Sequence, residues 1–377
     1  MNLFSTMNDQ LDDLLQRVGY KLQISNTQRQ LAEDRYHAVA NWLSDDQDLS
    51  ESGDIQIYAQ GSLRIGTTVR PLSRQEYDLD LVCEINKDWR GEDPVNLLNS
   101  IEKRLRDNKM YAPMVERKNR CIRLNYANEF HLDILPAHPA DNTPGTNLKV
   151  PDRKAEWWKD SNPKGYAEWF ESRSRQYTEY MAKAGIEPLP DDEFVERKSP
   201  LKRAVQLIKR HRDIYFEKRP DDAPISIVLT TLAGTLYSGQ TSVGDTITFV
   251  LKGIQNLLPK DGSRLVVLNP SNLAEDLSER WIGQPELYQS FVKFIWDFIK
   301  EWERLQNLQG IHNIAEALKA FFGENVITEA VKDQTAYLEK VRRSNQLAIT
   351  DKTGMLTAAT SAIPQITTVK RNTFYGA

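Results

Sequence analysis

Asp78 and Asp80 stand one residue apart in the apolar run "YDLDLVCEI", sixteen residues after the serine of a Gly61-Ser62 pair. Residues i and i+2 of a strand share a face, so the two carboxylates project together while Leu79 and Leu81 go to the other side. Carboxylates that close repel each other, and a cation between them removes the penalty. Magnesium suits such a place, because it binds through one or two carboxylates and keeps the rest of its shell for water and phosphate oxygens. Another acid stands in "FHLDILP", where His131, Asp133 and Leu135 face one way and Phe130, Leu132 and Ile134 the other. If this strand lies beside the first, Asp133 joins the pair. Three carboxylates can hold two metal ions, the clamp used for in-line displacement at phosphorus: one ion activates the attacking hydroxyl and the other steadies the leaving pyrophosphate. Gly61 and Ser62 supply the complement, since glycine lets backbone N–H groups approach phosphates and the Ser62 hydroxyl can bond a terminal phosphate oxygen. Gly66 and Thr67 would close the loop. Each part alone is weak, because a D-x-D is common on edge strands and a lone Gly-Ser is usually a turn. The order of the three parts is what points to nucleotidyl transfer.

The elements that must position these residues are legible around them. Residues 7 to 22 and 28 to 44 have helical spacing, the second with Ala32, Tyr36, Val39 and Leu43 on one stripe. The polar "SDDQDLSESGD" breaks the pattern, and strand character begins at Ile55. "DIQIYAQGS" leads into the glycine loop, "YDLDLVCEI" follows, and "CIRLNY" and "FHLDILPAH" come after a helix near residues 94 to 107. The stretch "DNTPGTNLKVPDRKAEWWKDSNPKGYAEWF" reads as turns followed by a helix, and beyond it "SPLKRAVQLIKRHRDIYFEKR", "PISIVLTTLAGTLYS", "DTITFVLKGIQNLL", "QPELYQSFVKFIWDFIKEWERLQ" and "NIAEALKAFFG" are helical. The expected fold is a mixed α+β catalytic lobe with a helical C-terminal lobe and the active site in the cleft between them. The expected divisions are 1–190 for the catalytic lobe with its N-terminal helices, 191–345 for the helical lobe and 346–377 for a flexible tail.

The bulk composition fits this reading. The chain has 377 residues, 40% hydrophobic and 27% charged, ample for two domains or for one large bilobal body. No apolar run approaches the roughly 20 residues that span a bilayer, and the N-terminus lacks the pattern of a secretory signal, so a cytoplasmic protein is expected. With 49 basic and 53 acidic residues, the net charge of −4 argues against a protein that coats nucleic acid. Cys83 and Cys121 are too few for a zinc cage or a disulfide framework.

The Gly-Ser loop, the D-x-D strand and the later acidic strand resemble the polymerase-β-type nucleotidyltransferase superfamily. Within it, "NPKGYAEWF", the helix "LKRAVQLIKRHRD", "PISIVLTTLA" and "NLAEDLSERW" are similar to the bacterial cyclic-oligonucleotide synthases of antiphage signalling, over most of residues 30 to 320. The resemblance implies a polymerase-β-like sheet and synthesis of a cyclic di- or trinucleotide from ATP and other nucleoside triphosphates. It implies two Mg2+ ions, with Mn2+ as a substitute, at Asp78, Asp80 and Asp133, the last also helping to activate the attacking hydroxyl. Gly61 and Ser62 would contact the triphosphate, and Lys202 and Ser226 sit where such proteins place further triphosphate contacts, with Lys209 able to replace Lys202. An E1-like conjugating partner acting on the tail at Ala377, and a downstream effector reached through the product, are also implied, whereas no obligatory nucleic acid and no membrane are. An ordinary chain end is the alternative for Ala377.

Several residues have plainer readings. The basic run from Arg197 to Arg219 reads as a solvated helix face, with Lys202, Gln206 and Lys209 beside the apolar stripe and able to line a cleft. His131 and His211 read as structural, since two-metal transfer needs no histidine. Trp157 and Trp158 can stack a base, but packing against the sheet is the simpler reading. The competing function is a template-independent transferase acting on RNA, a protein or a small molecule. An RNA substrate would favour a basic surface that the composition lacks.

Overall fold

The computed structural model describes residues 9–45, 54–72, 77–127, 130–141, 145–183, 198–308, 310–344, 347–350, 356–358 and 366–368. They fall into two compact units, neither continuous in sequence. A sheet unit comprises Gln23–Arg173 and Arg264–Gln284, and a helical unit comprises Met1–Leu22, Ser174–Ser263 and Pro285–Ala377. The first helix, α1 (Asp9–Lys21), folds with the helical unit because Leu11, Leu14, Leu15 and Val18 are buried and Asp12 accepts the backbone N–H groups of Val243 and Gly244.

The sheet unit opens with α2 (Asn26–Ser44), started by a capping box in which Ser25 and Gln28 satisfy each other's backbone N–H groups. Next come β1 (Ile55–Gln60), the one-turn helix α3 (Gly61–Arg64), β2 (Tyr77–Ile85) and α4 (Pro94–Asp107). Asp93 caps α4 by accepting from Val95 N at 2.8 Å, and Pro94 stands in the first turn, where its missing N–H does no harm. The strands β3 (Val115–Arg117), β4 (Ile122–Tyr126), β5 (Phe130–Pro139), β6 (Leu148–Asp152) and β7 (Trp157–Ser161) complete a seven-stranded sheet of order β1-β2-β5-β4-β3, with β6 joined to the end of β5 and β7 to β6. Only β2 and β5 are parallel; the other neighbours run antiparallel. β7 stands where "WWKDS" had read as part of a turn.

Alternation in the strands sends Leu79, Leu81, Cys83, Leu124, Leu132 and Ile134 to one face, where they pack with Val39 and Leu43 of α2 and Leu98, Ile101 and Leu105 of α4. Each such side chain contributes about 1.5–3 kcal/mol through burial, so this face anchors the sheet. The two helices are also locked to each other: Trp42 Nε1 donates to Arg104 O at 2.9 Å, and Arg104 donates back to Trp42 O. With one face filled by helices, the polar alternates are left on the other.

The boundary between the units falls within α5 (Pro163–Lys183). In the helical unit follow α6 (Pro200–Tyr215), α7 (Ser226–Leu236) and α8 (Val243–Leu257). The hairpin β8 (Leu268–Asn269) and β9 (Asn272–Asp276), with α9 (Arg280–Gly283), returns to the sheet unit because Glu279 pairs with Arg120 and, at 3.0 Å, with Lys159. Then come α10 (Pro285–Gln306), α11 (Ile311–Phe322) and α12 (Glu324–Arg343), whose core holds Phe291, Phe294, Phe298, Trp302 and Phe322. Residues 346–377, expected as a flexible tail, include the strands β10 (Leu347–Thr350), β11 (Leu356–Ala358) and β12 (Ile366–Thr368), paired antiparallel in the order β11-β10-β12. Their Thr, Ile and Leu content suits a pleated ladder. Gly376 and Ala377 lie outside the described residues. Among the described residues no helix is long and apolar enough to cross a membrane.

Candidate active site

The polar face of the sheet is built at one end of β1, β2, β4 and β5. β1 ends at Gln60, opposite Asp80 of β2. The chain then turns sharply through Gly61 at φ +63°, and a Cβ on that residue would lie 2.3 Å from Asp80 Oδ2. Only glycine fits, on grounds both of backbone conformation and of space. The loop that follows is a folded turn: Thr67 N donates to Ser62 O at 2.9 Å, and the Ser62 and Thr68 hydroxyls lie 3.4 Å apart. Thr67 and Thr68 are buried, which leaves half-buried Ser62 as the loop's accessible hydroxyl next to the acids' strand.

The parallel ladder between β2 and β5 sets Asp80 opposite Asp133 and Asp78 opposite His131. All three expected acids are thus brought onto one face. The antiparallel ladder between β4 and β5 adds Arg123 opposite Asp133. Its guanidinium grips Asp133 with a two-pronged fork, Nε to Oδ1 and Nη2 to Oδ2, both 2.7 Å, and Nη2 also reaches Asp78 Oδ1 at 3.1 Å. Partial desolvation against the sheet, the largest influence, pushes the Asp78 carboxyl above its ordinary range even though the side chain stays 56% exposed; Arg123 opposes the shift and the Asp133 charge adds to it. Arg123 is held protonated still more firmly than usual by its bonds to Asp133. Nearby, the Cys121 thiol is pushed up to about 12 by burial and then by the charge of Asp133, so it is inert as a nucleophile.

Among the described residues no three His, Cys, Asp or Glu side chains stand as a ready-made metal cage. The three acids on this face nonetheless fit a hard divalent cation, since each offers carboxylate oxygens and two of the three already share one positive charge, that of Arg123. Arg123 escaped the sequence reading. The signal was there in "CIRLNY", whose alternation puts Arg123 and Asn125 on the face away from Ile122 and Leu124.

The other expected residues stand on other elements. Lys202 is half-buried in the first turn of α6, and Ser226 begins α7, where its hydroxyl accepts from Arg212 Nη1 at 2.5 Å; both belong to the helical unit. Gln206, expected on a cleft-lining face, is instead fully buried and accepts from Arg203 Nη1 at 2.8 Å. Lys209 is buried as well, and so is Arg203, so the run 197–219 is not simply a solvated face. The reason is that helices pack on several sides of α6. His211 sits among Phe294, Phe298 and Phe321, and burial drives its pKa down to about 3. It is a neutral core residue. Trp158 is buried and donates from Nε1 to Glu92 O, while Trp157, its neighbour on β7, points outward.

A mixed sheet that gathers three acids beside a Gly-Ser turn defines a nucleotidyltransferase. Residues 6–173 match the model of the Second Messenger Oligonucleotide or Dinucleotide Synthetase domain. From end to end the chain is 35% identical over 381 residues to the c-di-GMP synthase of Roseivirga ehrenbergii, with 100% of both chains covered. It is 27% identical to the cyclic dinucleotide synthase CdnG of Bradyrhizobium diazoefficiens, over 94% of this chain and 90% of that one. The structure of CdnG in complex with GTP is similar with a TM-score of 0.70, covering 87% of this chain and 100% of that one. Vibrio cholerae DncV in its GTP-bound form shares the fold, with a TM-score of 0.55 at 16% identity over 84% of this chain and 80% of that one. The chain belongs to the CD-NTase family, and is a nucleotidyltransferase that makes a cyclic oligonucleotide. The family and the α+β class expected from the sequence are both borne out.

Proposed function

We propose that the chain joins two molecules of GTP into cyclic di-GMP, a second messenger that drives an effector in antiphage defence. The sequence pointed to ATP with other triphosphates open; the full-length similarity to a c-di-GMP synthase favours guanine, and that similarity is the observation that carries this reading. In each half-reaction the 3′-hydroxyl of one nucleotide attacks the α-phosphorus of the other. The new O–P bond forms as the bond to pyrophosphate breaks, and the hydroxyl proton leaves toward the Asp133 carboxylate. Repeating the step within the linear intermediate closes the ring and releases the second pyrophosphate.

Asp78, Asp80 and Asp133 are the groups that would hold a pair of Mg2+ ions, with Mn2+ as a substitute. Bound there, the ions supply the charge that favours loss of the hydroxyl proton and offsets the negative charge on the departing pyrophosphate. The protein's own part is positional. Gly61 brings the loop backbone against Asp80, the Ser62 hydroxyl is presented to a phosphate oxygen, and the two strands fix the spacing of the acids. Lys202 and Ser226 are proposed as further triphosphate contacts on the strength of the sequence resemblance. An E1-like partner acting at Ala377 is likewise proposed, and removing Gly376 and Ala377 should abolish conjugation while leaving synthesis intact.

The test is to incubate the purified protein with GTP, ATP, CTP and UTP, singly and mixed, with MgCl2, and to identify products by mass spectrometry. Cyclic di-GMP from GTP alone is expected. Rings that require ATP would overturn the guanine assignment, and linear products alone would overturn ring closure.

A further inference from the structure

Arg123 holds its two carboxylates unequally. The fork to Asp133 is short at both prongs, and the Arg123 and Asp133 side chains are only 19% and 15% exposed. Such bidentate, charge-assisted pairs fix the plane of a carboxylate as well as its charge. The arm to Asp78 is longer, and the Asp78 side chain is 56% exposed. Water competes for that partner and weakens the contact. The fork is the permanent half of the arrangement, and the Asp78 arm is the half that can let go.

We propose that Arg123 is an internal cation of the site, a positioning residue that fixes Asp133 and occupies Asp78 until a divalent metal arrives with the triphosphate. Three carboxylates alone would offer a free metal ion a net charge of −3, and the guanidinium reduces it to −2. Metal binding to the free protein is thereby weakened. A triphosphate brings its own negative charge into the site and restores the field, so metal and nucleotide load together. This rests on Asp78, Asp80 and Asp133 being metal ligands and adds an order of loading to that reading.

The test is to titrate Mn2+ into the full-length protein without nucleotide, followed by electron paramagnetic resonance, for wild type, Arg123→Gln and Arg123→Lys. Arg123→Gln should bind Mn2+ about tenfold more tightly than wild type, a difference of about 1.4 kcal/mol. Arg123→Lys keeps the charge without the fork and should stay near the wild-type affinity. With a non-hydrolysable GTP analogue present, the three proteins should converge. Synthesis by Arg123→Gln should nevertheless fall, because Asp133 has lost its fork. Unchanged or weaker Mn2+ binding by Arg123→Gln in the absence of nucleotide would overturn the proposal. Should that variant not fold, Arg123→Met is read in the same way. Asp80→Asn serves as the separate control: full Mn2+ affinity in this variant would remove the metal-ligand reading itself, whatever Arg123 does.

Discussion

Asp80 pairs with Asp133 across the parallel ladder of β2 and β5, and the same Asp80 carboxylate lies against the backbone of Gly61. One side chain therefore joins the acidic strand, its parallel neighbour and the Gly61-Ser62 loop. Neighbouring strands are about 4.8 Å apart, a spacing that lets two carboxylates share one cation.

Asp80→Asn and Asp133→Asn should each reduce cyclic product by a factor on the order of 10²–10³, the size of loss that follows removal of one preorganised group stabilising transition-state charge, because each acid would hold the cations that carry that charge. Asp80→Asn removes a charge from a crowded acidic face and should shift thermal unfolding little, whereas Asp133→Asn strips Arg123 of its fork and should lower the melting temperature as well. Product measured by mass spectrometry beside a melting curve separates the two effects. A variant that lost product only because it unfolded would show it in the melt.

Gly61→Ala should impair both stability and synthesis. The positive φ strains any side chain, and the added methyl meets Asp80 Oδ2 at 2.3 Å, so the loop or the carboxylate must move. A loss of about 1–2 kcal/mol in urea unfolding is expected, with the fall in synthesis exceeding what unfolding explains. Wild-type synthesis in Gly61→Ala would show that the loop tolerates displacement from Asp80.

Trp158 and Trp157 should behave oppositely. Trp158 is 4% exposed in the sheet core, and Trp158→Ala should cost about 3–5 kcal/mol. Trp157 is 63% exposed, and Trp157→Ala should change stability by less than about 0.5 kcal/mol. Chemical denaturation checks both. A raised KM for GTP in Trp157→Ala would instead assign that ring to base stacking.

Acid stability should depend on His211. Its pKa is driven to about 3 in the folded protein by burial, the backbone bond to Phe321 opposing, against about 6.5 when unfolded. Between those values the unfolded chain takes up a proton that the folded one refuses. The contribution is thus fully present above about pH 6.5 and is lost as pH falls toward 3, at up to about 1.4 kcal/mol per pH unit. Denaturation of wild type and His211→Phe between pH 7 and 4.5 should show a shallower decline in the variant. Parallel slopes would count against the buried, neutral histidine.

Much of this was legible along the chain. The strand of Asp78 and Asp80, the Asp133 strand and α4 appear where periodicity put them, because each combines an alternating or helical apolar pattern with clear start signals such as the Asp93-Pro94 pair. β7 was not legible, since "WWKDS" carries no clean alternation, and its place comes from pairing with β6. The burial of Arg203, Gln206 and Lys209 was hidden for a different reason. A helix wheel shows which residues share a side, and α6 is surrounded on more than one side.

By itself the sequence determined the acids, the glycine loop and the periodicities that make strands and helices, since these depend on residues a few positions apart. Only the tertiary structure decided that Arg123 meets Asp133 and Asp78, that Gly61 must be bare against Asp80, and that α1 and residues 264–284 cross between the units. Those relations depend on ladder register and on which surfaces find each other to bury. They join residues far apart in the chain, beyond the reach of local spacing.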